Sequence, residues 1–345
     1  MLRLALPSRG RLEDPTLAFL AGCGLAVERR NTRQYQADIP ALRNAQVMFQ
    51  RAADITEKVE SGVAHLGITG LDQYYEARQD DGDCLVLMED LGYGHCELVA
   101  AVPESWIDVS SIADLVELAA EFKERGRELR IATSFPNLTR RFCYRKELHY
   151  FTLLESTGAI EAAPAMGFAD LITDISESGT SLRENRLKTL RDGTILKAQA
   201  CLIGNRRALR EDPERLRTTK HILELMEARL RARRFRSVTA NIRGASAEAV
   251  AEHVLRRPEI AGIQGPTVAK VYSHRSSEQD WYAVTVVVRS ENVLTAVEHL
   301  REMGGSGVTV LSPDYVFEER SVAYEQLLVA LNLAGEPRDT LSTRA

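Results

Sequence analysis

Short apolar runs alternate with amphipathic stretches along the first half of the chain. Leu2–Leu6 predicts a strand, and Asp14–Gly22 a helix with Asp14 as N-cap and Pro15 at its first position. Ala45–Phe49 predicts a strand, Asp54–Gly62 a helix and His65–Ile68 a buried strand. This alternation predicts an α/β sheet covered on both faces. A second unit of the same kind begins near Cys96. It reads as strand Glu97–Val102, helix Ser111–Arg125, strand Arg130–Thr133, a helix from Pro136 through Tyr144, strand Ala169–Ile175, a helix opening at Ser181–Asn185, and an extended run Thr194–Ile203.

The last third has a different rhythm. One long helix, Asp212–Arg234, carries Pro213 near its start; from Arg206 to Arg236 there are 11 Lys/Arg against 5 Asp/Glu. Without interleaved aromatics, that basic run reads as the solvated face of a linking helix rather than a nucleic-acid patch. Beyond it come strand Ser237–Arg243, helix Ser246–Leu255, strands Thr267–Tyr272 and Trp281–Arg289, helix Asn292–Met303 and strand Gly307–Leu311. That βαββαβ order is ferredoxin-like, with few groups of catalytic character, and reads as regulatory. A helix over Glu318–Leu331 and a polar tail expected to be disordered from Gly335 complete the chain.

At 345 residues the chain fits two or three domains, and 44% apolar with 27% charged residues is an ordinary globular balance. A net charge of −5 argues against non-specific nucleic-acid binding. The five cysteines include no C-x-x-C pair, which fits a reducing cytosol better than a disulfide or zinc scaffold. The N-terminal apolar stretch is broken by Pro7 and does not read as a signal peptide; no apolar run nears the ~20 residues of a membrane span. The expectation is a cytoplasmic protein without nucleic-acid or membrane partners.

Four segments carry candidate chemistry. In ADLITDISESGTSLRENRL, Asp170 and Asp174 lie four apart and would share one strand face. The following Ser-Glu-Ser-Gly-Thr-Ser turn runs into a helix, with Ser181 and Glu184 spaced as a capping box. Free N–H groups, hydroxyls and a helix N-terminus make such a turn an anion site, and Gly179 allows close approach. Carboxylates would hold the hydroxyls of a phosphorylated sugar and favour an oxocarbenium-like transition state. In LPSRGRL, Arg9 and Arg11 flank Gly10 at a strand end and could clamp phosphate oxygens, and Arg51 follows its strand in the same way. HLGITGLD ends a buried strand at Gly67 and Gly70, without the spacing of a dinucleotide fingerprint. TSFPNLTRR places Ser134 and Asn137 at another anion-ready helix start. Each segment also has a plain structural reading as a capped βα turn. The seven histidines show no metal-ligand spacing, and no G-x-S-x-G, P-loop or H-E-x-x-H occurs.

Taken in order, LALPSRGRL, LGITGLD, RIATSFPNLTRRF and ADLITDISESGTSL followed by KAQACLI resemble the ATP phosphoribosyltransferase family, over about residues 1–315. GIQGPTVAKV resembles a segment of the C-terminal domain of its long form. The resemblance implies a two-lobed, periplasmic-binding-protein-like (type II) α/β core plus a C-terminal ferredoxin-like or ACT-like βαββαβ domain. It implies one lobe from residues 1–96 with 196–233, a second from 97–195, a regulatory domain over 234–315, and a helix and tail over 316–345. Adenine N1 of ATP would displace pyrophosphate from C1 of phosphoribosyl pyrophosphate (PRPP), with Mg²⁺ on the polyphosphates, as the first step of histidine synthesis. Asp170 and Asp174 would face the ribose as the catalytic carboxylates. Glu177, Ser178, Gly179, Thr180, Ser181 and Leu182 would hold the 5-phosphate. Arg11, Arg51, Gly70 and Asp72 would contact ATP, while Arg9, Ser134 and Asn137 are further candidates for phosphate. No metal ligands are assigned. Histidine would be a feedback inhibitor, and the protein a homo-oligomer, dimer or hexamer. Competing readings are a two-lobed small-ligand sensor or a non-catalytic regulatory subunit.

Overall fold

Strand β1 (Leu2–Pro7) is buried at five of six positions, as expected of a parallel strand covered on both faces. The computed structural model describes residues 1–29, 31, 34–156, 158–272 and 280–333. Helix α1 (Glu13–Gly22), strands β2 (Gln36–Asp38) and β3 (Ala45–Gln50), helix α2 (Ala52–Glu60), strand β4 (Leu66–Gly70), helix α3 (Leu71–Ala77) and strand β5 (Cys84–Met88) follow in turn. The chain then leaves for a second sheet through β6 (Cys96–Pro103), α4 (Ile112–Glu124), β7 (Leu129–Thr133), α5 (Pro136–Arg145), β8 (Phe151–Glu155), β9 (Leu171–Ser176), α6 (Thr180–Glu184) and β10 (Leu187–Ala198). It returns at Gln199 to place β11 (Ala200–Asn205) back in the first sheet, followed by α7 (Arg206–Glu211) and α8 (Pro213–Ala232).

The two sheets share one plan. The first has the order β2-β3-β1-β4-β11-β5 and the second β10-β6-β9-β7-β8. In each, three parallel strands (β3, β1, β4; β8, β7, β9) meet an antiparallel strand that has just crossed from the other lobe, β11 or β6. This is the two-lobed arrangement of the type II periplasmic-binding fold. The two crossing segments are tied together: Leu91 N–H donates to Ala200 O, Ala200 N–H to Tyr93 O and the Gln199 amide to Glu89 O, each at 3.0 Å. What reads in the sequence as one run, Thr194–Ile203, is therefore two strands in two sheets, broken at Gln199.

The clusters that cover these sheets are apolar and close-fitting. Gly67 of β4 sits under α2, and a Cβ there would lie 2.6 Å from Ile55 Cγ2 and 3.0 Å from Val59 Cγ2. Gly67→Ala is expected to cost about 1–3 kcal/mol through overpacking, read as a lower urea midpoint at unchanged slope. Helix α4 carries a true capping box, Ser111 Oγ accepting from Asp114 N–H and Asp114 from Ser111 N–H; the N–H of Ser110 first, and the Ser111 bonds after it, hold the Asp114 carboxyl down at about 2.

The C-terminal part forms its own sheet from β12 (Phe235–Gly244), α9 (Ala247–Leu255), β13 (Thr267–Val271), β14 (Asp280–Arg289), α10 (Val293–Glu302) and β15 (Ser306–Leu311). The order β13-β14-β12-β15 with all neighbours antiparallel is the ferredoxin-like arrangement. Val238, Ala240, Ile242, Val284 and Val286 alternate inward along its two central strands and pack with Val254, Ala296 and Leu300 of the helices. Helix α11 (Val322–Ala330) comes last, and the tail expected from Gly335 lies outside the described residues. By contacts the chain forms two compact units, residues 1–219 with 326–345, and residues 220–325. No helix of the described residues is long and apolar enough to cross a membrane.

Candidate active site

In open α/β sheets, ligands meet the carboxyl ends of parallel strands. In the first lobe those ends carry Ser8–Arg11 after β1, Arg51 after β3 and Gly70–Asp72 at the end of β4. In the second they carry Ser134 after β7 and Asp174–Leu182 at the end of β9. Residues scattered over 170 positions of sequence thus line two facing sheet edges, joined by the crossing segments.

Arg11 links the two sides. Its guanidinium donates to Gly94 O at 2.9 Å and Cys96 Sγ at 3.1 Å in the first crossing. It also lies 3.6 Å from Asp72 Oδ2 and 3.7 Å from Glu177 Oε1, so it reaches from the start of α3 to the loop after β9. Asp72 is 1% exposed and its Oδ1 has no hydrogen-bond partner. Burial pushes its carboxyl above the ordinary range, against the pull of Arg11. Gly70 makes room for it, since a Cβ there would meet Asp72 Oδ1 at 2.1 Å. Arg9 and Arg51 are exposed, and Arg51 is the extended N-cap of α2. Ser8 N–H donates to Gln50 O at 2.8 Å, which holds the arginine-bearing ends of β1 and β3 side by side.

Across from them, Asp174 occupies the fourth position of β9, with its Oδ1 accepting from Ile175 N–H at 2.8 Å. Burial, with help from the nearby Glu161 charge, raises its carboxyl to about 6. The loop beyond turns through Gly179 in the left-handed conformation, φ 71°, and enters α6. Ser178 and Thr180 hydroxyls pair at 2.9 Å, and Arg183 donates to Thr180 Oγ1 at 3.3 Å. A cavity of about 700 Å³ adjoins the loop, lined among others by Cys96, Ser176–Gly179, Arg191 and Lys197.

Four expectations change. Asp170 is not at this end: it precedes β9 and faces Arg127 and Arg130, each at 3.1 Å, with Arg130 N–H donating at 2.8 Å. β9 begins only at Leu171 and runs about 3.3 Å per residue, so the four-residue spacing separates the carboxylates along the strand. The Ser181–Glu184 capping box does not form, because α6 starts one residue earlier with Gly179, which has no side chain, as its N-cap. Helix α1 likewise starts at Glu13 with Leu12 as N-cap, leaving Asp14 inside the first turn. Asn137 is already engaged: its N–H donates to Glu76 Oε1 at 2.8 Å and its amide to Glu76 O at 3.1 Å, while Ser134 is exposed.

Sequence reasoning missed several site residues. Thr133, Thr139 and Thr173 form a buried hydroxyl ring at 2.7–3.2 Å that pins α5 to β7 and β9. Two of them lie in the TSFPNLT segment, but their convergence needs the strand order. Glu76 and Glu161 lie outside every motif and element that the sequence singled out. Among the described residues no group of three or more His, Cys, Asp and Glu side chains is arranged to hold a metal ion.

Fold and site define a two-lobed α/β protein in which the loop turning at Gly179 faces Arg11 and the buried Asp72, followed by a ferredoxin-like domain. Family comparison gives this class a name. The model of the family described as ATP phosphoribosyltransferase matches residues 51–228, and that described as HisG, C-terminal domain matches residues 232–312. The chain is 41% identical over 336 residues to ATP phosphoribosyltransferase 2, chloroplastic, of Arabidopsis thaliana, covering 96% of this chain and 81% of that one. It is 36% identical to the ATP phosphoribosyltransferase of Bradyrhizobium diazoefficiens, covering 94% and 96%. A solved structure of an ATP phosphoribosyl transferase (HisG:HisZ) complex from Thermotoga maritima matches with TM-score 0.51 at 27% identity, covering 66% of this chain and 99% of that one. The chain belongs to the ATP phosphoribosyltransferase family.

Proposed function

We propose that this chain transfers the phosphoribosyl group of PRPP to N1 of ATP, releasing pyrophosphate, as the first step of histidine synthesis. The observation that carries the reading is the loop Glu177–Leu182 next to Asp174, facing Arg11 and Asp72 across the cleft. In it, the 5-phosphate sits on the hydroxyls and N–H groups of the loop, Asp174 meets the ribose, and Arg11 and Arg51 attend the nucleotide and pyrophosphate. Mg²⁺ enters with the polyphosphates as part of the substrates. Catalysis is by positioning and charge: Asp174 stabilises the positive charge that builds on the ribose as pyrophosphate leaves. Asp170, neutralised by two arginines, braces the strand. The sensor reading is not favoured, since family membership extends through both parts of the chain. Histidine feedback through the C-terminal unit, a homo-oligomeric state and a cytoplasmic location belong to the same proposal.

The deciding assay mixes the protein with ATP, PRPP and Mg²⁺ and follows absorbance of the N1-ribosylated product, with and without histidine. Absence of turnover in a protein that binds PRPP would refute the acceptor assignment, and turnover indifferent to histidine would refute the feedback role. Gly179→Ala tests the loop. A side chain in the left-handed region costs about 1–2 kcal/mol, and the new Cβ would sit 3.0 Å from Arg183 Nη1. The expected result is about a tenfold rise in KM for PRPP, with KM for ATP unchanged.

A further inference from the structure

The start of α5 is a helix N-terminus that opens on the cleft, and its anion comes from the opposite lobe. Pro136 at the first turn has no N–H to offer, so the first free donors are those of Asn137 and Leu138. Both go to one carboxylate: Asn137 N–H to Glu76 Oε1 at 2.8 Å and Leu138 N–H to Glu76 Oε2 at 2.9 Å. The Asn137 side chain adds a third bond to the Glu76 carbonyl at 3.1 Å. Glu76 stands near the end of α3, in the first lobe, whereas α5 belongs to the second. An ion pair between the lobes, Arg11 with Glu177, is longer at 3.7 Å and ends on a mostly exposed side chain. Glu76 is partly buried, and burial raises its carboxyl while the two N–H bonds pull it back.

The contact leads toward the reacting centre. α5 is held to its sheet by the Thr133–Thr139–Thr173 hydroxyl ring, and Thr173 is the residue before Asp174. A shift of α3 against α5 therefore moves β9, and Asp174 with it, relative to Arg11 and Asp72. Filling this helix start with a protein carboxylate also keeps substrate phosphates off it and leaves the loop after β9 to receive them.

We propose that Glu76 is a positioning residue: its carboxylate on the N-terminus of α5 sets the approach of the two lobes at which the ribose beside Asp174 meets the acceptor. The inference rests on the proposed reaction for its kinetic side only. The ribose and 5-phosphate of PRPP sit on the second lobe, so Glu76→Ala is expected to change PRPP affinity by calorimetry far less than kcat, which falls at least tenfold. Acetate, which fits the vacated helix start, restores part of the lost kcat in the variant and none in the wild type. Glu76→Gln keeps the volume and one acceptor and falls in between. An activity-independent reading uses spin labels at exposed Ala53→Cys in α2 and Ala113→Cys in α4; the five native cysteines are buried. The distance distribution is narrow with Glu76 and broad in Glu76→Ala. A kcat within twofold of wild type, or a lost kcat with an unchanged distribution, overturns the proposal. If the wild type itself shows no turnover, the reaction assignment fails and the distance distribution still decides the role of Glu76.

Discussion

Asp174→Asn is expected to unfold at higher denaturant than the wild type at pH 8 and to turn over several orders of magnitude more slowly. Both effects come from one cause. Burial first, and the Glu161 charge after it, hold the Asp174 carboxyl at about 6 instead of its ordinary 3.8, a difference of about 3 kcal/mol. Below about pH 4 the group is protonated in folded and unfolded chains alike and costs nothing. As pH rises from about 4 to 6 the unfolded chain ionises first, and stability is lost. Above about 6 the folded state carries the full cost of a buried charge. The amide removes that cost, so the stabilisation appears above pH 6 and vanishes below pH 4. It also removes the negative charge that faces the developing ribose cation. Wild-type kcat should then rise with pH through a midpoint near 6, and the variant should show no such limb. Equal stability of the two proteins at pH 8 would refute the raised carboxyl, and near-normal turnover of Asp174→Asn would remove Asp174 from the reacting centre.

Arg11→Ala should be the most damaging change in the first lobe. It leaves Asp72, 1% exposed and with one oxygen already unpartnered, without its cation. Leaving a buried carboxylate without its partner costs about 1–3 kcal/mol. The loss should be largest at neutral and alkaline pH and shrink toward pH 4, because Asp72, already raised by burial, escapes by protonation. Asp72→Asn in the same chain should restore most of the stability. It should not restore turnover, since the guanidinium that reaches Gly94, Cys96 and Glu177 is still missing. A double-mutant cycle by urea unfolding, run beside kcat/KM, separates the two losses. Additive stability effects would show that the pair is not coupled.

Much of the fold was legible because its signals are local. The buried strands Leu2–Pro7 and Leu66–Gly70 and the Ser111 cap of α4 each declare themselves within a dozen residues, and the βαββαβ rhythm after Arg236 is a succession of such short signals. The short strands β2, β5 and β8 were not legible, since their burial is mixed and their runs too brief for a clear period. Helix α3 was hidden behind the glycines of LGITG, which read only as the end of a buried strand. Gly70 instead clears space for the Asp72 carboxylate that follows it.

The sequence by itself determined the elements that local periodicity and caps encode, the Gly-bearing turn after Ile175, and the arginines at the ends of the first strands. Tertiary structure alone decided which of these meet. Asp170 and Asp174 look equivalent four residues apart, yet a strand separates them lengthwise and two arginines neutralise the first. Asn137 looks free to bind phosphate, yet Glu76, 61 positions earlier, already holds its helix start. The reason is physical: a carboxylate's role depends on its desolvation and its charged neighbours, and those are set by strand order and the two crossings between lobes, which no local window of sequence contains.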